Sequence, residues 1–371
     1  MMGSMSSRER VLTALSHRDT DIVPFSLGFG INMPARTALL SALGMKSMKE
    51  LDSRLLGMSD LRWVHPTYLG PSDRNTSLSN GKETDIWGVG RKSVTYGTGA
   101  YSEIEIYPLA TPTSISDLGK YRWPNIDWFN FYTIPDMVRH ANSDGTYAIC
   151  MGNGNILETA WYMRGFEQML MDLVLEPEFA WEMLTRVTDF YVAYFTRALE
   201  ASKGKIDIIF TADDIGQQEG LLLSLELWEK MIKPHHVRLN RVLHNFRVKV
   251  MYHTDGAVMQ AVPGLMDMGI DVLEALQFDA KGMDASILKE KYGDRLCFHG
   301  GVSVQSTLPF GTPEQVSHEV AERIRILGSH GGYILAPSHA IQAGTPPENI
   351  IAFLQGSGRF SPPSSWGRSL R

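Results

Sequence analysis

The sequence predicts a single (β/α)8 barrel with an elaborated N-terminal third. From Ile134 onward, short apolar runs alternate with amphipathic stretches, which is typical of parallel strands joined by crossover helices. Almost every apolar run ends in polar residues, as strands do at the catalytic mouth of a barrel. The chain has no GxGxxG motif after a strand and no GxxxxGK[ST] motif, so we expect neither a doubly wound nucleotide-binding fold nor a nucleotide cofactor.

The length and composition fit one soluble barrel enzyme. The chain has 371 residues, of which 43% are hydrophobic and 20% charged, and α/β barrels commonly exceed about 250 residues as single domains. We therefore predict a barrel over residues 1–356 and a flexible tail, rich in Ser, Pro and Gly, over residues 357–371. The two cysteines, Cys150 and Cys297, exclude a disulfide framework and a cysteine-rich zinc module.

Charge and hydropathy exclude several other classes. The formal net charge is −6 and no Lys/Arg run is present, which argues against a nucleic-acid partner. No segment approaches the roughly 20 apolar residues of a membrane helix. The opening MMGSMSSRER lacks the apolar core of a signal peptide, so we expect a cytoplasmic protein that acts on a small molecule.

The elements follow in order along the chain. A helix capped by Ser6 and Ser7 comes first, and its capping residues and apolar spacing set its start. Further helices are predicted over 48–56, 134–141, 157–174, 178–201, 224–245, 258–268, 284–292, 313–328 and 346–354. About eight strands are predicted, one starting at residue 22 and the others over 62–69, 146–152, 206–211, 248–252, 271–276, 295–298 and 333–336.

The polar residues at the strand ends mark a candidate active site. Any one of them could be a turn or capping residue, but six strand ends share the pattern, and a barrel brings such ends to one mouth. They are Asn153 and Asn155, Asp213 and Asp214, His253 and Asp255, Glu274 and Gln277, His299, and Ser338 and His339.

His253 and Asp255 suggest a metal site, because alternate residues of a strand point the same way. His339, His299 and Glu274 could complete a set of imidazole and carboxylate ligands suited to zinc or another divalent ion. The alternative is a proton-transfer pair between His253 and a carboxylate, without a metal.

Other polar residues have two interpretations each. One of Asp213 and Asp214 could orient substrate or act as a general acid, while the other caps the following turn. Arg164 and Arg36 could clamp an anionic substrate or form surface ion pairs. Cys297 is interpreted as a core residue.

Several segments resemble the uroporphyrinogen decarboxylase superfamily, and within it the methyltransferase-like branch. They are SSRERVLTALSHRDTDIVP, WPNIDW, DDIGQQEG, YHTDG, LCFHGGVSVQ, LPFGTPEQV and GGYILAPSHAIQAGTPPENI, and the resemblance covers nearly the whole chain. It implies a distorted (β/α)8 barrel, and homodimers are common in the family. True decarboxylases of the family need no metal, whereas corrinoid-linked methyltransferases bind zinc through a His-x-Cys pair and a distant Cys.

The sequence departs from both patterns. After Pro24 it has FSLGFGINMPAR in place of an arginine-rich porphyrinogen motif. His253-Thr254-Asp255 stands at the His-x-Cys position, and His339 at the distant Cys position. A site without thiolates is a harder metal centre, suited to oxygen-bearing substrates.

The predicted function is a metal-dependent lyase that decarboxylates a small or aromatic carboxylic acid. Zinc is the expected metal, held by His253, Asp255 and His339, with Asp213, His299 and Glu274 as catalytic groups. The predicted substrate-binding residues are Asn153, Arg164, Gln277, Gln305 and Asp85. The first alternative is a methyltransferase or O-demethylase that acts on a methoxylated compound with a corrinoid protein as partner. The second is a non-catalytic binding barrel.

Overall fold

The computed structural model of the chain describes residues 4–76, 82–96, 99–111 and 114–361. Its strands are β1 Leu61–Trp63, β2 Thr67–Tyr68, β3 Lys82–Thr84, β4 Gly90–Tyr96, β5 Gly99–Ile106, β6 Phe129–Asn130, β7 Ala148–Met151, β8 Ile208–Ala212, β9 Lys249–His253, β10 Val272–Ala275, β11 Cys297–Val302 and β12 Tyr333–Pro337. Seven of them form one parallel sheet in the order β1-β7-β8-β9-β10-β11-β12. This curled sheet confirms the predicted barrel class.

The segment around Phe25 occupies the eighth position of the barrel. Phe25 forms a parallel bridge with Leu335 of β12, supported by hydrogen bonds from the Ser26 amide to Leu335 O and from the Leu335 amide to Pro24 O. On its other side, Phe25 O accepts a hydrogen bond from the amide of Asp60, next to β1. The predicted strand starting at residue 22 therefore pairs only briefly, between the first and last strands of the sheet.

The helices surround the sheet, as expected for crossover connections. They are α1 Ser7–Ala14, α2 Met33–Ala42, α3 Met48–Met58, α4 Ile115–Lys120, α5 Ile134–Ala141, α6 Leu157–Arg164, α7 Phe166–Leu175, α8 Pro177–Ser202, α9 Leu225–Met231, α10 Lys233–Asn245, α11 Val262–Asp267, α12 Ala285–Tyr292, α13 Thr307–Phe310, α14 Pro313–Leu327 and α15 Pro347–Gly356. Short 3-10 helices lie at Ile126–Trp128, Phe131–Thr133 and Met259–Ala261.

Two predicted helices are broken in the structure. The stretch 157–174 divides into α6 and α7 at Gly165, whose φ of 100° no helix accommodates. The stretch 224–245 divides into α9 and α10 at Ile232, because Pro234 cannot donate a hydrogen bond to the preceding turn. Both breaks come from single residues that a pattern of apolar spacing does not reveal.

The N-terminal third is elaborated with antiparallel structure. Strands β3, β4 and β5 form one small sheet, and β2 pairs with β6 in another. The predicted strand 62–69 is therefore two strands in different sheets, separated by Pro66, which lacks an amide for a ladder. None of the helices in the described part of the chain has the length and apolar character needed to cross a bilayer.

The barrel interior is apolar below the mouth. Cys297, Met251 and Ile208 belong to a buried cluster inside the strands, and Val11 and Leu15 of the first helical segment close it from below. Cys297 is thus a core residue, as interpreted. Apolar filling at this end leaves the strands' carboxyl ends as the open, polar end of the barrel.

The first residues of the predicted tail are packed. Arg359 donates a hydrogen bond of 2.6 Å to the buried carboxylate of Asp60, and Phe360 is buried beneath the guanidinium of Arg54. A charge-assisted contact to a buried carboxylate holds this segment against the barrel. The remainder of that prediction, residues 362–371, lies outside the described residues.

Candidate metal centre at the barrel mouth

His253 and Glu274 form the centre of the mouth. They end neighbouring parallel strands and are directly paired in register, so their side chains point into the barrel together. His253 Nδ1 donates a hydrogen bond to Glu274 Oε2, and both residues are buried. This contact fixes the imidazole ring and directs its other nitrogen, Nε2, toward the mouth.

Two further carboxylates face that nitrogen. His253 Nε2 lies 3.5 Å from Asp214 Oδ1 and 3.9 Å from Asp255 Oδ2. The Asp255 amide also donates to Asp214 Oδ1 at 3.0 Å, which holds the two aspartates beside each other. Asp214, for which the sequence allowed either a role in the site or a capping role, therefore lies at the site.

His339 completes a three-residue group that we call the mouth cluster: His253, Asp255 and His339. One ligand-type atom from each lies within 4.8 Å of the other two. Phe29 packs against both imidazoles, with ring centroids 4.9 Å from His253 and 4.8 Å from His339. The three residues predicted to hold a metal are therefore brought together, although they come from two distant strand ends.

The charges of the mouth are strongly coupled. Burial disfavours the charged form of His253, but the Glu274 carboxylate outweighs this and raises the pKa of His253 to about 10. Burial likewise opposes ionisation of Glu274, yet His253 lowers its pKa to about 2. Burial, with added repulsion from Asp214, raises the pKa of Asp255 to about 7. A site that crowds carboxylates in this way favours positive charge.

Asp213 lies behind the mouth rather than in it. Its carboxylate accepts hydrogen bonds from the amides of Leu157 and Glu158 at 2.9 and 2.8 Å, and from His236 Nε2 at 2.5 Å. It is fully buried. These contacts cap the start of α6, and the proton-transfer role predicted for Asp213 receives no support from its position.

Gln277 and Gln305, predicted to bind substrate, contact each other. Gln277 Nε2 donates to Gln305 Oε1 at 2.7 Å, and Gln277 Oε1 accepts from the Gly256 amide at 3.0 Å. Gly256 has a φ of +86°, which favours glycine at the turn after Asp255. The pair therefore braces the turn that carries Asp255.

His299 lies on the other side of Glu274. Its Nδ1 is 3.5 Å from Glu274 Oε1, and neither ring nitrogen has a hydrogen-bond partner among the described residues. His299 lines a cavity of about 250 Å³ whose walls include Phe29, Trp63 and Phe210. We call this cavity, which Met251, Glu274 and His299 also line, the apolar chamber.

A second cavity, of about 460 Å³, adjoins the apolar chamber and shares Asn153 with it. Asp85 lines this second cavity, where its carboxylate accepts from the Trp87 and Val89 amides and from Arg91 Nη1. Asn153 and Asp85 thus lie where a substrate could reach them, which keeps their predicted role open.

Arg164 is placed away from both cavities. It forms a buried ion pair with Asp172 at 2.7 Å, and its Nη1 donates to the carbonyls of Leu109 and Ala110. The ion-pair interpretation of Arg164 therefore fits, except that the pair is buried rather than on the surface. Arg36 likewise pairs with Asp52.

Sequence reasoning missed Glu158 near the mouth. This residue of α6 is buried, and burial together with the charges of Asp214 and Asp213 raises its pKa to about 7. Its carboxylate accepts hydrogen bonds from Tyr162, at 2.7 Å, and from Asn155. In sequence it is one of many helical glutamates, and no spacing signal distinguishes it from an exposed one.

Comparisons with known proteins agree with this architecture. The family model described as uroporphyrinogen decarboxylase matches residues 88–357, which is more than half of the chain. A methylated-thiol–coenzyme M methyltransferase from Methanosarcina mazei is 28% identical over 196 residues, covering 53% of this chain and 49% of that protein. A uroporphyrinogen decarboxylase from Psychromonas ingrahamii is 23% identical over 228 residues, covering 61% of this chain and 60% of its own length.

The solved structure of a methyltransferase from Methanosarcina mazei superposes with a TM-score of 0.69 at 17% identity. It covers 96% of this chain and 99% of the other. That likeness concerns the fold. The sequence matches span about half to three fifths of the curated relatives, so they leave the reaction open.

Proposed function

Because the chain belongs to the uroporphyrinogen decarboxylase family, we propose that it is a metal-dependent methyltransferase of that family. It would take the methyl group of a small methoxylated compound and pass it to a corrinoid protein. Support comes from the similarity to a methylated-thiol–coenzyme M methyltransferase over 53% of the chain. It also comes from the mouth cluster and the chamber beside it.

The apolar, aromatic lining of the apolar chamber is the observation that favours methyl transfer over decarboxylation. Phe29, Trp63 and Phe210 pack edge to face around it, with ring centroids 5.7 to 5.9 Å apart. No lysine or arginine of the described residues lines it, and the carboxylate of Glu274 does. Such walls favour a neutral methyl ether over the carboxylic acid that a decarboxylase needs.

The mouth cluster has the donors that a divalent metal requires. In a tetrahedral zinc site the ligand atoms lie about 3.3 Å apart, since each bond is about 2.0–2.1 Å long. The donors of His253, Asp255 and His339 lie within 4.8 Å of one another, so modest side-chain rotation would bring them into range. Two imidazoles and a carboxylate would leave a position for a substrate oxygen.

The chemistry would be a displacement at the methyl carbon. The bond between oxygen and methyl breaks with its electron pair left on oxygen, while the nucleophile of the acceptor supplies the pair of the new bond. A bound divalent metal would supply Lewis acidity that favours the negative charge developing on that oxygen.

The chain's own residues would prepare this step. Glu274 holds the His253 ring through Nδ1, so that Nε2 is available at the mouth. Asp214 holds the backbone of Asp255, and the Gln277–Gln305 pair braces the following turn. The aromatic walls would place the ring of the substrate beside the cluster.

The test uses the full chain loaded with zinc, cob(I)alamin as methyl acceptor, and methoxybenzene or 2-methoxyphenol as donor. We expect conversion of cob(I)alamin to methylcobalamin, followed by its absorbance, and its loss after chelation. His253→Ala should lower the rate by more than about 100-fold, because even outer-shell changes around a metal cost up to about that much. Arg139→Ala, at an exposed helical ion pair, is the matched control and should leave the rate unchanged.

Other outcomes would contradict the proposal. Release of carbon dioxide from an aromatic acid, without methyl transfer, would establish the lyase predicted from sequence. Binding of the aromatic probes without either reaction, in a protein that does not retain zinc, would establish a binding barrel. A cytoplasmic location and a homodimer stay predictions.

A further inference from the structure

We propose that the apolar chamber binds a small aromatic molecule that carries a hydroxyl group, and that this hydroxyl donates a hydrogen bond to Nε2 of His299. The inference deepens the proposed function by naming its substrate class, a phenolic methyl ether. It rests on that function only for the reaction that follows binding.

The size of the chamber fits one substituted ring. Its volume is about 250 Å³, whereas an engineered apolar cavity of about 150 Å³ holds benzene. The excess corresponds to one or two small substituents. Trp63 and Phe210 meet edge to face on one side, and Met251 contributes a polarisable side chain. These walls suit an aromatic ring better than a flexible polar chain.

His299 is a buried polar group of this chamber, whose other polar lining residues are Ser26, His65, Asn153 and Glu274. Its side chain is only 3% exposed, yet both ring nitrogens lack a hydrogen-bond partner among the described residues. A buried polar atom without a partner is destabilising relative to one that is satisfied. A ligand that supplies the missing bond would recover that free energy, which favours binding beside His299.

The carboxylate of Glu274 determines which kind of hydrogen-bond partner Nε2 of His299 can take. Glu274 contacts two imidazoles, with Oε2 on His253 Nδ1 and Oε1 at 3.5 Å from His299 Nδ1. A carboxylate oxygen can only accept, so it favours the tautomer of His299 with the hydrogen on Nδ1. Nε2 then presents a lone pair, which an O–H group can satisfy and an ether oxygen cannot.

The residues around His299 also disfavour a negatively charged ligand. Glu274 would repel a carboxylate placed next to His299, and no lysine or arginine among the described lining residues offsets it. Arg91, in the adjoining cavity, is already paired with Asp85 at 2.8 Å. A phenol therefore suits the chamber better than a benzoate.

The experiment measures equilibrium binding of phenol, toluene and benzoate to the full-length protein, both with and without zinc, by ligand-observed NMR. Phenol and toluene have nearly the same shape, but only phenol has a donor. We expect phenol to bind about 10-fold more tightly, which corresponds to one satisfied buried hydrogen bond. Benzoate should bind more weakly than phenol.

Substitutions test whether the preference for phenol over toluene depends on His299. His299→Phe should abolish the preference for phenol while toluene affinity stays within about threefold, a change set by cavity volume alone. His318→Phe, at an exposed position of α14, is the matched control and should keep the preference. Should His299→Phe fail to fold, His299→Leu takes its place, and the same loss of the phenol preference is expected.

Three results would overturn the inference: equal affinity for phenol and toluene, a preference that survives His299→Phe, or tightest binding of benzoate. They are distinct from failure of the proposed function. Methyl transfer could be absent while the phenol preference persists, which would contradict only the reaction. Methyl transfer without any phenol preference would contradict only the role of His299.

Discussion

The structure has two buried contacts between a histidine and a carboxylate near β8 and β9, and the two contacts have different roles. In one, His236 Nε2 meets Asp213 Oδ2 at 2.5 Å. In the other, His253 Nδ1 meets Glu274 Oε2. All four residues are at most 6% exposed. Burial and pairing alone therefore do not separate a structural pair from a functional one.

The remaining atoms of each pair make the difference. The Asp213 carboxylate also accepts hydrogen bonds from the amides of Leu157 and Glu158, so both of its oxygens take part in capping α6. His253, by contrast, directs its second nitrogen to within 3.9 Å of two aspartates at the mouth. His236 Nδ1 also lacks a hydrogen-bond partner among the described residues, but its side chain is fully buried. A buried pair is therefore a candidate catalytic element when one member directs an atom toward further charged groups at a cavity, and a structural element when its carboxylate caps a helix.

The largest effect is expected where the structural pair is broken. Asp213→Ala would leave two amides and His236 without an acceptor in a fully buried site, at a cost of about 3–5 kcal/mol in the free energy of unfolding. Urea denaturation measures this. Asp189→Ala, which removes an exposed ion pair with Arg238, should cost less than about 1 kcal/mol.

A stable Asp213→Ala protein that binds zinc but has lost methyl transfer would reverse this assignment. It would restore the catalytic role that the sequence suggested for Asp213.

The next effect tests the functional pair. Glu274→Gln keeps the shape of the side chain but weakens the orientation and basicity of His253, so zinc affinity should fall by about 10–100-fold. Competition with a chromophoric chelator measures it. Glu219→Gln, at an exposed residue, provides the control. An unchanged zinc affinity in Glu274→Gln would make the His253–Glu274 contact as structural as that of Asp213.

The smallest effect concerns Glu158, whose amide is capped by Asp213. Its pKa is raised from 4.5 to about 7 by burial and by the charges of Asp214 and Asp213. The folded protein thus binds this proton more tightly than the unfolded chain. Stability from this group is therefore present below pH 4.5 and is lost as the pH rises through about 7.

Glu158→Gln should therefore match the parent protein near pH 4 and exceed its stability by on the order of 1–2 kcal/mol at pH 8. Urea denaturation at several pH values measures this difference. Glu167→Gln, at an exposed position on α7, should show no such pH-dependent gain. A constant difference between parent and Glu158→Gln across the range would contradict the raised pKa.

Sequence periodicity was sufficient for the barrel and for much of its mouth. Helix α5 begins and ends at the predicted residues, and the mouth cluster was identified because its members follow apolar strands. It was insufficient for Arg164, which lies at the end of α6 and forms a buried ion pair with Asp172. The arginine side chain is long, so its position in the sequence does not predict which group the guanidinium contacts.

The sequence alone determined the fold class, since alternating strands and helices leave few arrangements other than a parallel barrel. It also determined that His253 and Asp255 point the same way, because side chains on a strand repeat every second residue. Only the tertiary structure decided what each carboxylate does. Glu274 meets His253 across 21 residues of chain, while Asp213 meets the Glu158 amide across 55. Asp213 follows β8 and Glu274 lies near the end of β10, so their positions in sequence are alike. Their partners in the folded barrel separate the acid that holds His253 at the mouth from the acid that caps α6.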